Sequence, residues 1–251
     1  MVLPLFKSHY SIGKSILTLE KKEASIEGGP ASIIDLCLKN KISEMYLVDD
    51  SMSGFLEGYL NSKAAELSFR FGLRLSICDT KDKNEESLQK TSKCIIFAKN
   101  KKGYQDLIKI YSLASQDGFY YEPRIDFESL KNLWGENDLA LVVPFYDSFL
   151  HLNALHGALC IPDFEFCKPV FLIEKNDIPF NVILERHVKN FCKDKYEMIQ
   201  AKSIYYDKKT DFKAYLTFRC INERTNLNKP NFSHMTSEEF SLQSWEEQLN
   251  G

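Results

Sequence analysis

Glycine-rich phosphate loops are missing from this chain: neither GxGxxG nor GxxxxGK follows any apolar run in its 251 residues. Nucleotide-binding open sheets therefore lose weight. Metal-ligand spacings are missing too. Cys37, Cys78, Cys94, Cys160, Cys167, Cys192 and Cys220 form no CxxC pair, and His9, His151, His156, His187 and His234 form no HExxH. A structural zinc is not expected. No run approaches the ~20 apolar residues of a membrane span, and MVLPLFKSHYS lacks a basic leader followed by a long apolar stretch. The expectation is a cytoplasmic protein, neither exported nor membrane-spanning. A surplus of positive charge is lacking as well: Lys and Arg total 32 against 35 Asp and Glu, a net charge of -3. Direct nucleic-acid contact is expected to be weak and to need a local basic patch.

The composition itself, 44% hydrophobic and 27% charged, is that of an ordinary globular protein with a packed core. Its length suits one large domain. We expect a single domain over 1–251, with 222–251 a C-terminal extension packed on it. The cysteines sit mainly in apolar runs, where a free thiol serves as a small buried hydrophobe, a pattern that suits a reducing compartment.

Short apolar runs alternate with segments of helical period. The runs predict strands over 3–6, 45–48, 73–78, 94–98, 139–143, 170–173 and 198–204. Between them the spacing predicts helices over 31–39, 54–71, 102–115, 148–155, 180–191 and 212–222, with Ser53, Asn100 and Asp211 as caps. The segments 81–93 and 222–239 are polar, and read as a surface loop and a loosely packed extension. Repeated βα units predict parallel strands, closed into a barrel in preference to an open sheet. In a barrel the chemistry lies where the strands end.

Two segments are more specific. Residues 97–104 read FAKNKKGY and 118–130 read GFYYEPRIDFESL. Both resemble the PHP domain at the N-terminus of bacterial DNA polymerase III alpha subunits. In that family an apolar strand ends in Leu-Ala-Lys-Asn, a Gly-Tyr follows in the next helix start, and Gly-Phe-Tyr-Tyr-x-Pro-Arg-Ile-Asp comes after that helix. LVDDSMSGFLEGY (47–59) stands where the family has a strand ending in Thr-Asp-His-Gly. SHYSIGKS (8–15), SIYYDKKTDFKAYLTFRCINERTNL (203–227) and NFSHMTSEEFSLQSWEE (231–247) resemble further family segments more weakly. The resemblance covers nearly the whole chain and reaches no polymerase palm, fingers or thumb. It implies an α/β fold, an irregular (β/α)7 TIM-like barrel of the PHP type.

An active PHP domain is implied to carry about nine His, Asp, Glu or Cys ligands at its strand ends, holding metals that activate water for phosphodiester hydrolysis. Here the implied ligand positions are largely replaced. The opening His-x-His falls on Leu5 and Lys7, and the Thr-Asp-His-Gly element on Val48, Asp49, Asp50 and Ser51. The following glutamate falls on Asp79 or Thr80, and the next histidine on Lys93. A Ser-Gly-Cys-like element becomes Val143, Pro144 and Phe145. A Glu and a His become Leu172 and Asn176, and the last Asp-x-His falls on Ser203 and Tyr205. Lys7 and Lys93 are expected to pair with Asp49, Asp50 and Asp79, unless they are simply solvated.

The residual catalytic candidates are Asp49, Asp50, Asp79 and His9. His151, His156, His187 and His234 read as surface or satisfied histidines. Arg124 is a phosphate-contact candidate whose segment also packs the fold, and Tyr120 and Tyr121 are expected to fill a groove between helices. Lys99, Lys101 and Lys102 read as a solvated helix start. One functional reading is a catalytically inactive module that binds a DNA polymerase, an exonuclease or another replisome protein, with no cofactor. The alternative is a residual metal-dependent phosphoesterase or 3'–5' exonuclease using Mn or Zn. A module carried without its polymerase core suggests a split gene, a phage-borne copy or a competing regulator.

Overall fold

A computed structural model describes residues 2–21, 29–228 and 237–250. The chain divides into two compact units: Met1–Phe71 with Glu174–Ile178 and Gln200–Gly251, and Gly72–Ile173 with Pro179–Ile199.

The first unit begins with β1 (Leu3–Phe6), α1 (Ile33–Lys39), β2 (Glu44–Asp49) and α2 (Phe55–Ala64). β1 pairs in parallel with β2, Leu5 opposite Tyr46, and with the later strand β8 (Met198–Ile204), Leu5 opposite Ser203. Parallel strands buried on both faces are nearly continuous hydrophobic runs, and Phe6, Met45, Leu47 and Ile204 are fully buried. Ser32 caps α1 by accepting from Asp35 N. Two later helices, α8 (Phe212–Glu223) and α9 (Leu242–Asn250), also belong to this unit. The Trp245 indole N–H donates to Val2 O at 2.9 Å, and Tyr205 N donates to Phe240 O at 2.9 Å.

A helix over 54–71 is corrected here. α2 ends at Ala64, Glu66 adopts a left-handed φ of 57°, and β3 (Ser68–Cys78) starts at once. SFRFGLRLSIC alternates with period two, which suits a strand and not a helix. Phe69 and Phe71 pack with Phe55, at ring-centroid distances of 5.7 and 5.3 Å.

In the second unit β3 runs antiparallel to β4 (Thr91–Ala98), with Gly72 opposite Phe97 and Cys78 opposite Thr91. β4 is antiparallel to β6 (Leu139–Val143), which is parallel to β7 (Val170–Glu174). The expected all-parallel arrangement is thus corrected. The link between β3 and β4 holds only a short helix, α3 (Glu85–Gln89), too little for a covering crossover, so the chain returns beside itself. α3 and the first residues of β4 replace the loop expected over 81–93.

α4 (Lys101–Gln116) is capped by Asn100, which accepts from Gly103 N at 2.9 Å. It is followed by the three-residue strand β5 (Arg124–Asp126), then α5 (Phe127–Leu133), α6 (Phe149–Leu155) and α7 (Asn181–Cys192). β5 was too short to leave a period in the sequence. The expected caps Ser53 and Asp211 give a different result: Gly54 caps α2, and Asp211 caps α8 with no side-chain bond. Phe149, Phe164, Phe171, Phe191 and Tyr196 form an aromatic cluster with centroids 5.1 to 6.4 Å apart. Such pairs contribute roughly 0.5–1.5 kcal/mol each beyond burial.

The two family-like segments owe their glycines to close approach of backbone. A Cβ at Gly103 would stand 2.1 Å from Asp138 O, and one at Gly118 would stand 1.9 Å from Arg124 O. Only glycine fits either place. Among the described residues, no helix is long and apolar enough to cross a membrane.

Candidate functional site

In the first unit the ends of β1 and β2 bring a carboxylate pair and a lysine together. Asp49 is fully buried. Its Oδ1 accepts from Ser8 N at 2.9 Å and Ser11 Oγ at 2.8 Å, and its Oδ2 from Ser8 Oγ at 2.6 Å. The next residue, Asp50, accepts from the Lys7 ammonium on Oδ1 at 2.8 Å and pairs through Oδ2 with Lys14 at 2.7 Å. Lys7 is itself buried. Burial pushes the Asp49 carboxyl above its ordinary range, opposed first by the Lys7 charge and then by the Ser8 and Ser11 hydrogen bonds. Three donors aimed at one carboxylate suit its ionised form.

A second carboxylate lies at the end of β7. Glu174 accepts from Ser203 N at 3.0 Å and Ser203 Oγ at 2.7 Å, and Asn176 Nδ2 lies 3.4 Å from its Oε2. Burial pushes its carboxyl up as well. The fully buried Lys202 donates to Asn176 Oδ1 at 2.5 Å and to Glu239 Oε2 at 3.0 Å. Desolvation lowers the pKa of this lysine, with Glu239 opposing. Leu5 and Leu172 are buried apolar residues, and Tyr205 stacks with Phe240 at 5.3 Å. His9 donates its backbone N–H to Leu17 O at 2.8 Å, while its buried Nδ1 has no partner among the described residues.

In the second unit Lys93 pairs with Glu122 Oε2 at 2.5 Å and donates to Ser76 Oγ at 2.5 Å. The Ser76 hydroxyl in turn donates to Glu122. Register explains this, because Ser76 stands opposite Lys93 across β3 and β4. Glu122 is the carboxylate of this pair, where the reading from sequence had set Lys93 against the aspartates. Asp79, at the end of β3, is exposed as a residue while its carboxyl is partly desolvated, which raises its pKa against a hydrogen bond from Ile161, the charge of Lys90 and a hydrogen bond from Cys160. Phe145 is fully buried.

Arg124 is fully buried and spends its guanidinium on the protein itself, donating to Gly118 O at 3.3 Å, Ser87 Oγ at 3.0 Å and Asp82 O at 3.0 Å. Such a residue packs its segment and has no face toward a phosphate. Tyr121, expected to fill a groove, is instead 79% exposed at a left-handed φ of 60°. Lys102 pairs with Asp106 and Asp138, and Lys99 donates to Glu136 O at 2.9 Å.

His151 is also buried, and its Nδ1 accepts from Asp147 N at 2.9 Å. The Asp147 carboxylate holds Arg74 at 2.6 Å. His156 and His187 are exposed, and His234 lies outside the described residues. Sequence reasoning missed Ser8, Ser11, Lys14, Glu122, Asp147, Glu174 and Lys202. The two serines stand in the quoted SHYS. Glu174 and Lys202 had one visible sign, a charge interrupting an apolar run.

Residues 25–161 match the sequence pattern of the PHP domain family. This chain belongs to the PHP domain family. Its fold class is the mixed α/β, irregular TIM-like barrel of that family. This PHP domain is 33% identical to the DNA polymerase III subunit alpha of Borreliella burgdorferi over 114 residues, 43% of this chain and 10% of that protein. It is 29% identical to the DNA polymerase III subunit alpha of Aquifex aeolicus over 146 residues, 54% of this chain and 12% of that protein. The match spans about a tenth of the length of these curated relatives.

Metal-assisted phosphodiester hydrolysis needs several carboxylate and neutral imidazole donors converging on the ions. Within each unit, among the described residues, no group of three or more His, Cys, Asp or Glu side chains is placed to hold a metal ion. Both Asp49 oxygens already accept hydrogen bonds from serines and both Asp50 oxygens face ammonium groups. With these ammonium groups in place, the donor set does not fit a divalent cation.

Proposed function

We propose that this PHP domain works in DNA replication as a cytoplasmic binding module without hydrolytic activity, a platform for a DNA polymerase, an exonuclease or another replisome protein. The observation that carries the reading is the buried Lys7 ammonium on Asp50. An ammonium at that place supplies positive charge but no Lewis acidity, so it cannot activate a water for attack on phosphorus. Relatedness to DNA polymerase III alpha subunits supports the setting in replication. No resident metal or other cofactor is part of this reading.

The test is incubation of the purified protein with labelled single-stranded DNA and manganese or zinc, beside an Asp49→Asn control. The expected result is no cleavage that depends on Asp49. Cleavage lost in the control would establish instead the residual phosphoesterase or 3'–5' exonuclease, with Asp49, Asp50, Asp79 and His9 as its candidate groups. Pull-down with polymerase and exonuclease subunits from the same cell tests the positive half. Failure to retain any replisome subunit would overturn it.

A further inference from the structure

Asp49 and Asp50 are consecutive carboxylates, one fully buried and the other largely so. Two such charges side by side require a counter-charge within a few ångströms, because neither is well solvated. The counter-charge is present as a side chain. Lys7 leaves the end of β1, is 4% exposed, and places its Nζ 2.8 Å from Asp50 Oδ1. It is also the leading charge that stabilises ionised Asp49. The hydroxyls of Ser8 and Ser11 donate to Asp49, and the Ser11 oxygen also accepts from Asp50 N at 3.0 Å. Carboxylate and hydroxyl oxygens are the donors that hard divalent cations take. Ammonium groups already stand on two of these oxygens, the buried Lys7 on Asp50 Oδ1 and the partly exposed Lys14 on Asp50 Oδ2.

We propose that Lys7 is the resident counter-ion of the Asp49 and Asp50 pair, and that its ammonium, rather than the fold, keeps divalent cations out. This rests on the reading of the domain as metal-free but is separable from it. A domain without nuclease activity could still exclude cations for other reasons, and the experiment reads stability rather than cleavage.

The experiment is thermal unfolding of the wild-type protein, Lys7→Met, and the double variant Lys7→Met with Asp50→Asn, each with EDTA or with increasing manganese, magnesium or calcium. Methionine retains the length and apolar stem of lysine while removing the charge. With EDTA, Lys7→Met should lower Tm on the order of 10 °C, since the buried Asp49 loses the charge that opposes its desolvation and Asp50 keeps only the partly exposed Lys14. Manganese should restore a good part of that loss saturably in Lys7→Met and leave the wild type unmoved. The double variant should recover stability with EDTA and show no response to manganese.

Three results would overturn the proposal. One is a wild-type Tm that rises with manganese as much as that of Lys7→Met. Another is a folded Lys7→Met that ignores all three cations. The third is a double variant no more stable than the single one, which would make Lys7 a packing residue. If Lys7→Met does not fold alone, the double variant still decides: a folded, cation-indifferent protein supports the counter-ion role.

Discussion

His151 shows how one side chain couples the second unit to pH. Its Nδ1 accepts from Asp147 N, so the proton of the neutral ring sits on Nε2, which is buried with no partner among the described residues. Desolvation holds its pKa below the ordinary histidine value of about 6.5, with Asp147 opposing and His156 and Arg74 adding to the depression. The unfolded chain therefore binds the proton more readily than the fold. Stability from this group is complete above about pH 6.5 and declines as pH falls toward the lower folded value. Urea denaturation between pH 7.5 and about pH 5 should show that decline. His151→Asn, which keeps an acceptor near Nδ1, should flatten it; an unchanged slope would assign the decline to another group.

At this scale much of the candidate site escaped the sequence. Residue types at strand ends were legible, and Asp49, Asp50 and Lys7 do stand together. The partner of Lys93 was not legible, because it depends on the Ser76 register and on Glu122, which arrives from a segment 29 residues further along the chain. Nor was the direction of Arg124: a guanidinium in a family-like segment looks the same in sequence whether it points at solvent or at the Asp82 carbonyl.

Elements were more legible where a period or a cap wrote them. β1, β6 and β8 span the residues their apolar runs predicted, and Asn100 caps α4 as its position before a periodic run implied. The α2 to β3 passage was misread because leucines and phenylalanines satisfy a helical window nearly as well as a strand until Glu66 turns the chain. Two substitutions separate the forces involved. Asn100→Ala removes one cap and should cost about 1 kcal/mol. Gly118→Ala sets a Cβ against the Arg124 carbonyl, so backbone must move, and it should cost about 3 kcal/mol or more. Chemical denaturation of the two variants side by side measures both; equal losses would show that the second site relaxes freely.

For the chain as a whole, a hydrogen bond within the first unit joins the two ends of the described sequence, from Trp245 to Val2 O. Trp245 is 7% exposed, and it ties α9 to the backbone preceding β1. Trp245→Ala should cost on the order of 3–5 kcal/mol and lower Tm accordingly, whereas the exposed Leu249 should tolerate alanine within about 0.5 kcal/mol. A loss near zero for Trp245→Ala would mean that α9 contributes little to the unit. The nuclease assay and the cation titration belong to this scale as well, since both ask what the whole chain does with charge concentrated at its strand ends.

The sequence by itself determined the family and the fold class, because GFYYEPRIDFESL and FAKNKKGY carry glycines, a proline and an arginine whose places backbone packing restricts. It also determined that Leu5, Lys7, Lys93, Ser203 and Tyr205 carry no imidazole. Tertiary structure decided strand direction, the partners of each charge, and the burial of Lys7, Asp49, Arg124 and Lys202. The reason is physical. Periodicity records which face of an element is apolar, whereas a charge's partner depends on which segments of distant sequence close around it.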